Sequence, residues 1–268
     1  MFGSRIPDLT QESNASFLAK VEAEWEQLFS NARSKNEYEF AWSLCAEFRG
    51  SQGPGWNSTD EVFRVISDYT ELLSVLENTP VKARVALSLY SHLAEASGFY
   101  EVPMNMMRVI EGHRFNTHPF QELVSYTGEG DAIAPNANKV MKALAGYAHH
   151  LSLITLSEIF RDAFCPQLRN AYAHADYVIC DDGIHLARRN SGFSLVVTWE
   201  QFVLWLERAF GFFSALKAEL DRNILSYKEP RTLVSKMGGR VDRHVTISYN
   251  EATGMYRIEG SPPLPKVE

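Results

Sequence analysis

The segment Leu168-Arg169-Asn170-Ala171-Tyr172-Ala173-His174 sets a permanent cation and a titratable base near each other, on a helix that Pro166 would open. Arginine stays charged and offers a planar fork of donors suited to phosphate, while histidine, with an ordinary pKa of about 6.5, takes or gives a proton near neutrality. RNA cleavage needs both functions. A 2′-hydroxyl must lose a proton as it attacks the neighbouring phosphate, the leaving 5′-oxygen must gain one, and the charge building on the phosphate must be held. In that scheme His174 is general base or acid, Arg169 binds the scissile phosphate, and Asn170 orients either; histidine and arginine together require no metal.

Spacing constrains the scheme. Arg169 and His174 are five positions apart, hence about 140° apart around an ideal helix, whereas Asn170 and His174 are four apart and share a face. One straight helix does not converge all three groups. A bend near a helix end would, and so would a meeting of two copies across a dimer axis, which argues for a homodimer cleft. The structural alternative has Arg169 capping a carbonyl or pairing with Glu158 or Asp162, Asn170 fastening a turn, and His174 covering the helix end. On spacing alone that alternative comes first.

Other chemistries lack their residues. No G-x-x-x-x-G-K-[ST] is present to cradle phosphates, and no G-x-S-x-G to form a nucleophile elbow, although a triad assembled from distant residues stays open. His149 and His150 are adjacent, so on a helix they point about 100° apart, and no H-E-x-x-H accompanies them. Neither metal nor cofactor is expected. Cys45, Cys165 and Cys180 recur at no common spacing and suggest neither a disulfide framework nor a zinc knuckle. Glu158 and Asp162 share a helix face beside Arg161, where a local ion pair is the plain reading. A hydrolase built from scattered residues would show a deep pocket elsewhere, for example around His149, His150 and Glu111.

The elements that must position the motif follow from periodicity. A first helix is expected over Gln11 to Asn31, with Phe17, Val21, Leu28 and Phe29 as its apolar stripe. After the loop Gly50 to Trp56, Ser58 and Glu61 have capping-box spacing for a helix to about Glu77. Pro80 opens a third helix carrying Val85, Leu89, Leu93 and Ala96, ending at Gly98, and Pro103 opens a short one ending near Gly112. His113 to Asn136 reads as a long connection. From Ala137 the apolar positions Val140, Leu144, Ala148, Leu151, Ile154 or Thr155, and Ile159 predict one long helix to about Phe164, which Cys165 and Pro166 break before the motif helix. Tyr177 to Cys180 and Ile184 to Arg189 read as a hairpin across Asp181-Asp182-Gly183, with Gly192 to Val197 able to add a strand. Thr198 and Gln201 form a second capping box for an aromatic helix through Phe202, Trp205, Leu206, Ala209, Phe213 and Leu216. Beyond Pro230, His244 to Tyr249 and Met255 to Ile258 read as another hairpin around Gly254, followed by a loose tail.

The expected class is therefore mainly α: a helical bundle with a small β-hairpin after the motif helix and a C-terminal β-hairpin. Its stretches are an N-terminal helical region, 1–130, a motif-bearing helical region, 131–228, with the hairpin 177–189, and a C-terminal hairpin and tail, 229–268. At 268 residues, 45% hydrophobic and 22% charged, the composition is that of an ordinary globular protein with a sizeable core. No run is long enough for a membrane span, and the opening MFGSRIPDLTQE has no apolar signal core, so a cytoplasmic address is expected. A net charge of −7 disfavours wrapping of nucleic acid over the whole surface. A local basic rim for single-stranded RNA remains open through Arg161, Arg188 and Arg189, with Tyr172 or Tyr177 for stacking. Surface solubility explains each of these residues about as well.

At Arg169-Asn170-Ala-Tyr-Ala-His174 the chain resembles the HEPN superfamily, α-helical proteins whose signature is an Arg, four to six residues, then His, often with Asn, Asp or His directly after the Arg. The likeness covers about residues 136 to 225. It implies a metal-independent endoribonuclease acting as a dimer, of a kind frequent among toxins and in antiviral or stress defence, with Arg169 and His174 catalytic and Asn170 assisting. The implied partners are single-stranded or transfer RNA, a second copy of the chain, and an inhibitor or antitoxin of unidentified kind. Where one subgroup has tyrosine two positions after the histidine, this chain has Asp176, so that subgroup's nucleotidyltransferase antitoxin is not carried over. Other members have lost cleavage, and they supply the alternative: a non-catalytic binding or scaffold protein using the same residues at a dimer interface.

Overall fold

In the computed structural model, residues 12–45, 58–96, 98–187, 195–236 and 241–264 are described. Helix α1, Asn14–Lys35, starts where the Ser13 hydroxyl accepts from the Ser16 amide and buries Phe17, Val21, Trp25, Leu28, Phe29 and Ala32 on one side. It runs past the expected end to Asn36, which caps both α1 and the following α2, Glu37–Ser43, its side chain accepting from the Glu39 amide at 3.1 Å. Helix α3 spans Ser58–Val75. The Ser58 side chain expected to cap it, and the loop Gly50 to Trp56, lie outside what is described. Pro80 opens α4, Pro80–Glu95, and a left-handed Gly112 closes α5, Glu101–Glu111.

The expected connection after α5 contains a short 3-10 turn, Gln121–Leu123, and a two-stranded ribbon, β1 (Ser125–Tyr126) with β2 (Ala132–Ile133). The expected single helix from Ala137 to Phe164 is two helices folded back on each other. Helix α6, Ala137–His150, ends at a reversal in which Ser152 takes φ 60° and the Leu153 amide donates to the Ala148 carbonyl; α7, Ile154–Asp162, follows. The Ser157 hydroxyl donates to the Ala145 carbonyl at 2.8 Å and ties the pair together. The apolar period misled because Leu151 and Leu153 pack on the core through the reversal, and a serine takes the left-handed position where glycine would have signalled the break.

Pro166 opens α8, Pro166–Ala173, at the expected place. The amide of Cys165, released by the break, donates to the buried Tyr90 hydroxyl at 2.5 Å. At its far end His174 is the C-cap, Ala175 takes φ 53°, and the Asp176 amide donates to the Ala171 carbonyl at 2.8 Å, so the chain leaves the helix directly into β3.

Both expected hairpins are three-stranded. In the first, β3 (Tyr177–Cys180) pairs with β4 (Gly183–Leu186), and β4 pairs with β5 (Leu195–Thr198). Gly183 is required there: at φ 146° its Cβ would fall 2.2 Å from the Val197 carbonyl oxygen. In the second, β6 (Arg231–Ser235), β7 (Arg243–Asn250) and β8 (Met255–Pro263) pair in chain order. The expected loose tail is thus strand as far as Pro263. Its prolines are tolerated because β8 is an edge strand with an irregular register near Arg243 and Val245.

The capping box at Thr198 and Gln201 forms as expected and opens α9, Trp199–Leu225. This helix is the spine of the core. Phe212 packs on Trp25, Tyr100, Phe160 and Phe164, while Phe213 packs on Phe63 and Phe99, so α1, α3, α7 and the segment that leads into α5 meet around it. One core runs through all three stretches of the chain, from Phe17 to Ile247. The class is mainly α with three small antiparallel sheets among the described residues. No described helix is long and apolar enough to cross a membrane.

Candidate functional site

The motif lies on the last turns of α8, where helix geometry divides its members. Arg169 points inward and is 9% exposed. Its guanidinium forms an ion pair with Glu95 at the end of α4 and donates to Asn170 Oδ1 at 3.0 Å. Burial lowers the Arg169 pKa from its ordinary value, yet an arginine begins so high that it stays charged. One of its donors, Nε, is buried without a partner among the described residues. Asn170 Oδ1 also accepts from Asn138 Nδ2 of α6 at 3.0 Å, so a polar chain Glu95–Arg169–Asn170–Asn138 links α4, α8 and α6.

His174 stands exposed at the C-cap, and its amide donates to the Asn170 carbonyl at 3.1 Å. Beside it Tyr172 and Tyr177 stack, ring centroids 5.9 Å apart and planes 25° from parallel. Asn170 lines a cleft of about 160 Å³ with Gln167, Ala171, Asp176, Leu186, Ala187 and Leu195. The motif helix, the hairpin and β5 thus share one concavity. Arg161 is exposed on the last turn of α7. Arg188 and Arg189, expected to extend a basic rim, lie outside the described residues.

The structure brings Arg169 and Asn170 into direct contact and sets His174 at the surface, away from the guanidinium. It corrects the structural alternative in one respect: the acidic partner of Arg169 is Glu95, not Glu158 or Asp162. Sequence reasoning missed Glu95 and Asn138 because their contacts with the motif form only when α4 and α6 pack against α8. The acidic and basic residues around His150 also meet. His150 Nε2 lies 3.0 Å from Glu111 Oε1, His113 Nε2 lies 3.2 Å from the other oxygen, and the Tyr147 hydroxyl donates to it. Those hydrogen bonds, from Tyr147 first and then His150, hold the Glu111 carboxyl below the usual carboxylate range. The group is an exposed surface cluster joining the ends of α5 and α6. A further set of ligating side chains, Cys180, Asp182 and His185, gathers at the β3–β4 tip.

Compared with protein-family models, with curated proteins and with solved structures, the chain matches none of the three. The HEPN resemblance therefore rests on the sequence motif Arg169 to His174 alone.

Proposed function

We propose that this protein is a metal-independent endoribonuclease of HEPN type that acts as a homodimer, with RNA bound across the paired ends of α8. The observation that carries the reading is the geometry of that end: a surface histidine one turn from Asn170, which is itself bonded to a buried arginine, beside a stacked tyrosine pair. His174 is placed to exchange protons with the 2′-hydroxyl or the leaving oxygen. Arg169, with a spare Nε donor and a carboxylate partner that is 42% exposed, can trade Glu95 for a phosphate. Within one chain the arginine faces inward and the histidine outward, so in this reading phosphate displaces Glu95 to reach Arg169, and the two-fold axis brings a second such helix end beside the first. The tyrosine pair offers a face on which an unpaired base can stack.

A second reading is favoured by the polar chain itself. If Arg169 serves only to bind α4, α6 and α8 together, the protein is a non-catalytic binding or scaffold module that dimerises through the same face.

The test is incubation of the purified protein with mixed single-stranded and transfer RNA in excess EDTA, beside Arg169→Ala and His174→Ala variants, with end-group analysis of the products. The ribonuclease reading expects cleavage that survives EDTA, leaves 2′,3′-cyclic phosphate ends, and is lost in both variants while they remain folded dimers. A folded dimer that cleaves none of these RNAs, and whose Arg169→Ala form comes apart, favours the scaffold.

A further inference from the structure

We propose that the tip of the β3–β4 hairpin is a binding site for a divalent transition-metal ion, zinc(II) by its chemistry, ligated by Cys180, Asp182 and His185. Strand geometry places the three together. Val178 and Cys180 alternate onto one face of β3, and His185 on β4 is the register partner of Val178, so it shares that face. Cys180 pairs with Gly183, leaving Asp181 and Asp182 as the turn, and Asp182 reaches back over the same face. One ligand atom from each of the three lies within 4.8 Å of the other two, and Asp182 Oδ1 is 2.8 Å from His185 Nε2. Ligands around a tetrahedral zinc ion, at bond lengths of about 2.0–2.3 Å, are about 3.3–3.8 Å apart. Small side-chain rotations close that difference with the backbone unmoved.

The turn that presents the ligands is fixed from two sides. Gly183 lets β5 approach so closely that any side chain there would strike the Val197 carbonyl, and Trp199 Nε1 of α9 donates to the Asp181 carbonyl at 2.9 Å. The donor set is one sulfur, one imidazole nitrogen and one carboxylate oxygen. Zinc takes such mixed sets, whereas calcium and magnesium select oxygen alone. A thiolate and a carboxylate balance the charge of a divalent ion, and three protein ligands leave a fourth position to water. Cys180 and His185 are half-buried and Asp182 is exposed, so the ion reaches the site from solvent. The other two cysteines do not compete: burial pushes the Cys165 thiol up to about 11 and the Cys45 thiol up to about 12.

The experiment is titration of untagged, metal-stripped full-length protein with cobalt(II), a spectroscopic stand-in for zinc, followed by displacement with zinc. The expected result is one equivalent of cobalt with a sulfur-to-cobalt charge-transfer band and the strong visible bands of tetrahedral coordination, all removed by zinc. Cys180→Ser abolishes the charge-transfer band, and Asp182→Asn and His185→Gln each weaken binding at least tenfold. In parallel, zinc shields Cys180 from alkylation in the unmodified chain, a readout that needs no variant to fold. Weak pale bands without charge transfer, charge transfer that persists in Cys180→Ser, or no shielding of Cys180 overturns the proposal and leaves Asp182 and His185 as a bare surface ion pair. Binding is read without RNA, so the site stands or falls apart from the ribonuclease reading, whose cleavage persists in EDTA.

Discussion

Among the described residues two arginines are buried, Arg169 on α8 and Arg208 on α9, and they are held in different ways. Arg208 is 3% exposed. It donates from Nε to the Asn14 side chain at 3.0 Å and from a terminal nitrogen to the Glu12 carbonyl at 2.9 Å, and its carbon centre lies 4.6 Å from the Phe17 ring centroid. Its direct partners are an amide, a peptide carbonyl and an aromatic face, which together fasten the start of α1 to α9. Arg169 instead has a part-exposed carboxylate, a neighbouring amide and one donor left over. Burial lowers the pKa of both. What separates them is the kind of partner: neutral groups built into two packed helices cannot be exchanged for a ligand without undoing the packing, whereas a surface carboxylate can be replaced by a phosphate of the same charge sign. A buried cation is therefore not by itself a sign of function, and the partner list is what distinguishes a clamp from an exchangeable charge.

The sharpest way to break this comparison is to measure RNA cleavage in both arginine variants. Arg169→Ala and His174→Ala are expected to lose roughly 10²- to 10⁴-fold in rate, the range for removing one acid–base or phosphate-holding group, while Arg208→Lys, assayed where it is folded, keeps the parent rate. Equal loss in Arg208→Lys would remove the distinction. Equilibrium unfolding in urea should rank the sites the other way. Arg208→Ala strands the Asn14 and Glu12 acceptors and loses the ring contact, for about 2–4 kcal/mol. Arg169→Ala should cost about 1–2 kcal/mol, because Glu95 rehydrates once released. A larger loss at Arg169 than at Arg208 favours the scaffold reading.

Glu95→Gln sharpens the contrast further. It frees the Arg169 charge while keeping a hydrogen-bond acceptor, so RNA should bind more tightly, by a few-fold in a filter or anisotropy titration at low salt, with about 1 kcal/mol or less lost in stability. Unchanged binding would show that Glu95 and RNA do not compete for Arg169.

An effect confined to alkaline pH concerns the other end of α8, where the buried Cys165 precedes Pro166. Its thiol rises from an ordinary 9.0 to about 11, so the folded state holds the proton more tightly than the unfolded chain. The stabilisation from this group is full below pH 9.0, and it is lost as pH climbs from there through about 11. Cys165→Ala should show a shallower decline of stability across that window in alkaline urea titrations. An identical slope in the two proteins would mean that Cys165 titrates alike in both states.

Much of the fold was legible because it is written in local chemistry. Pro80 and Pro166 at first helical positions, the Thr198 and Gln201 box, and the apolar stripe of α1 each depend on neighbours within one or two turns, and each formed where expected. The reversal at Ser152 was not legible, since its signal is a left-handed serine and apolar residues that stay buried on both sides of the turn. The strands β6 and the far end of β8 escaped notice because edge pairing with β7, not their own patterning, makes them strands. At the site, the Arg169–Asn170–His174 spacing and its divergence around α8 were readable. The pairing with Glu95 and the gathering of Cys180, Asp182 and His185 were not.

The sequence by itself determined where α8 starts, which residues carry a cation and a base on its last turns, and that a single helix cannot aim both at one point. Those are consequences of a ring without an N–H and of 3.6 residues per turn, and no distant residue is needed to reach them. Only the tertiary structure decided that Arg169 is buried and held by a carboxylate seventy-four positions earlier, and that a turn folds three ligating side chains onto one face. Side-chain charges act over a few ångströms of space whatever their separation along the chain, so which of them meet is settled by how the helices pack and the strands pair.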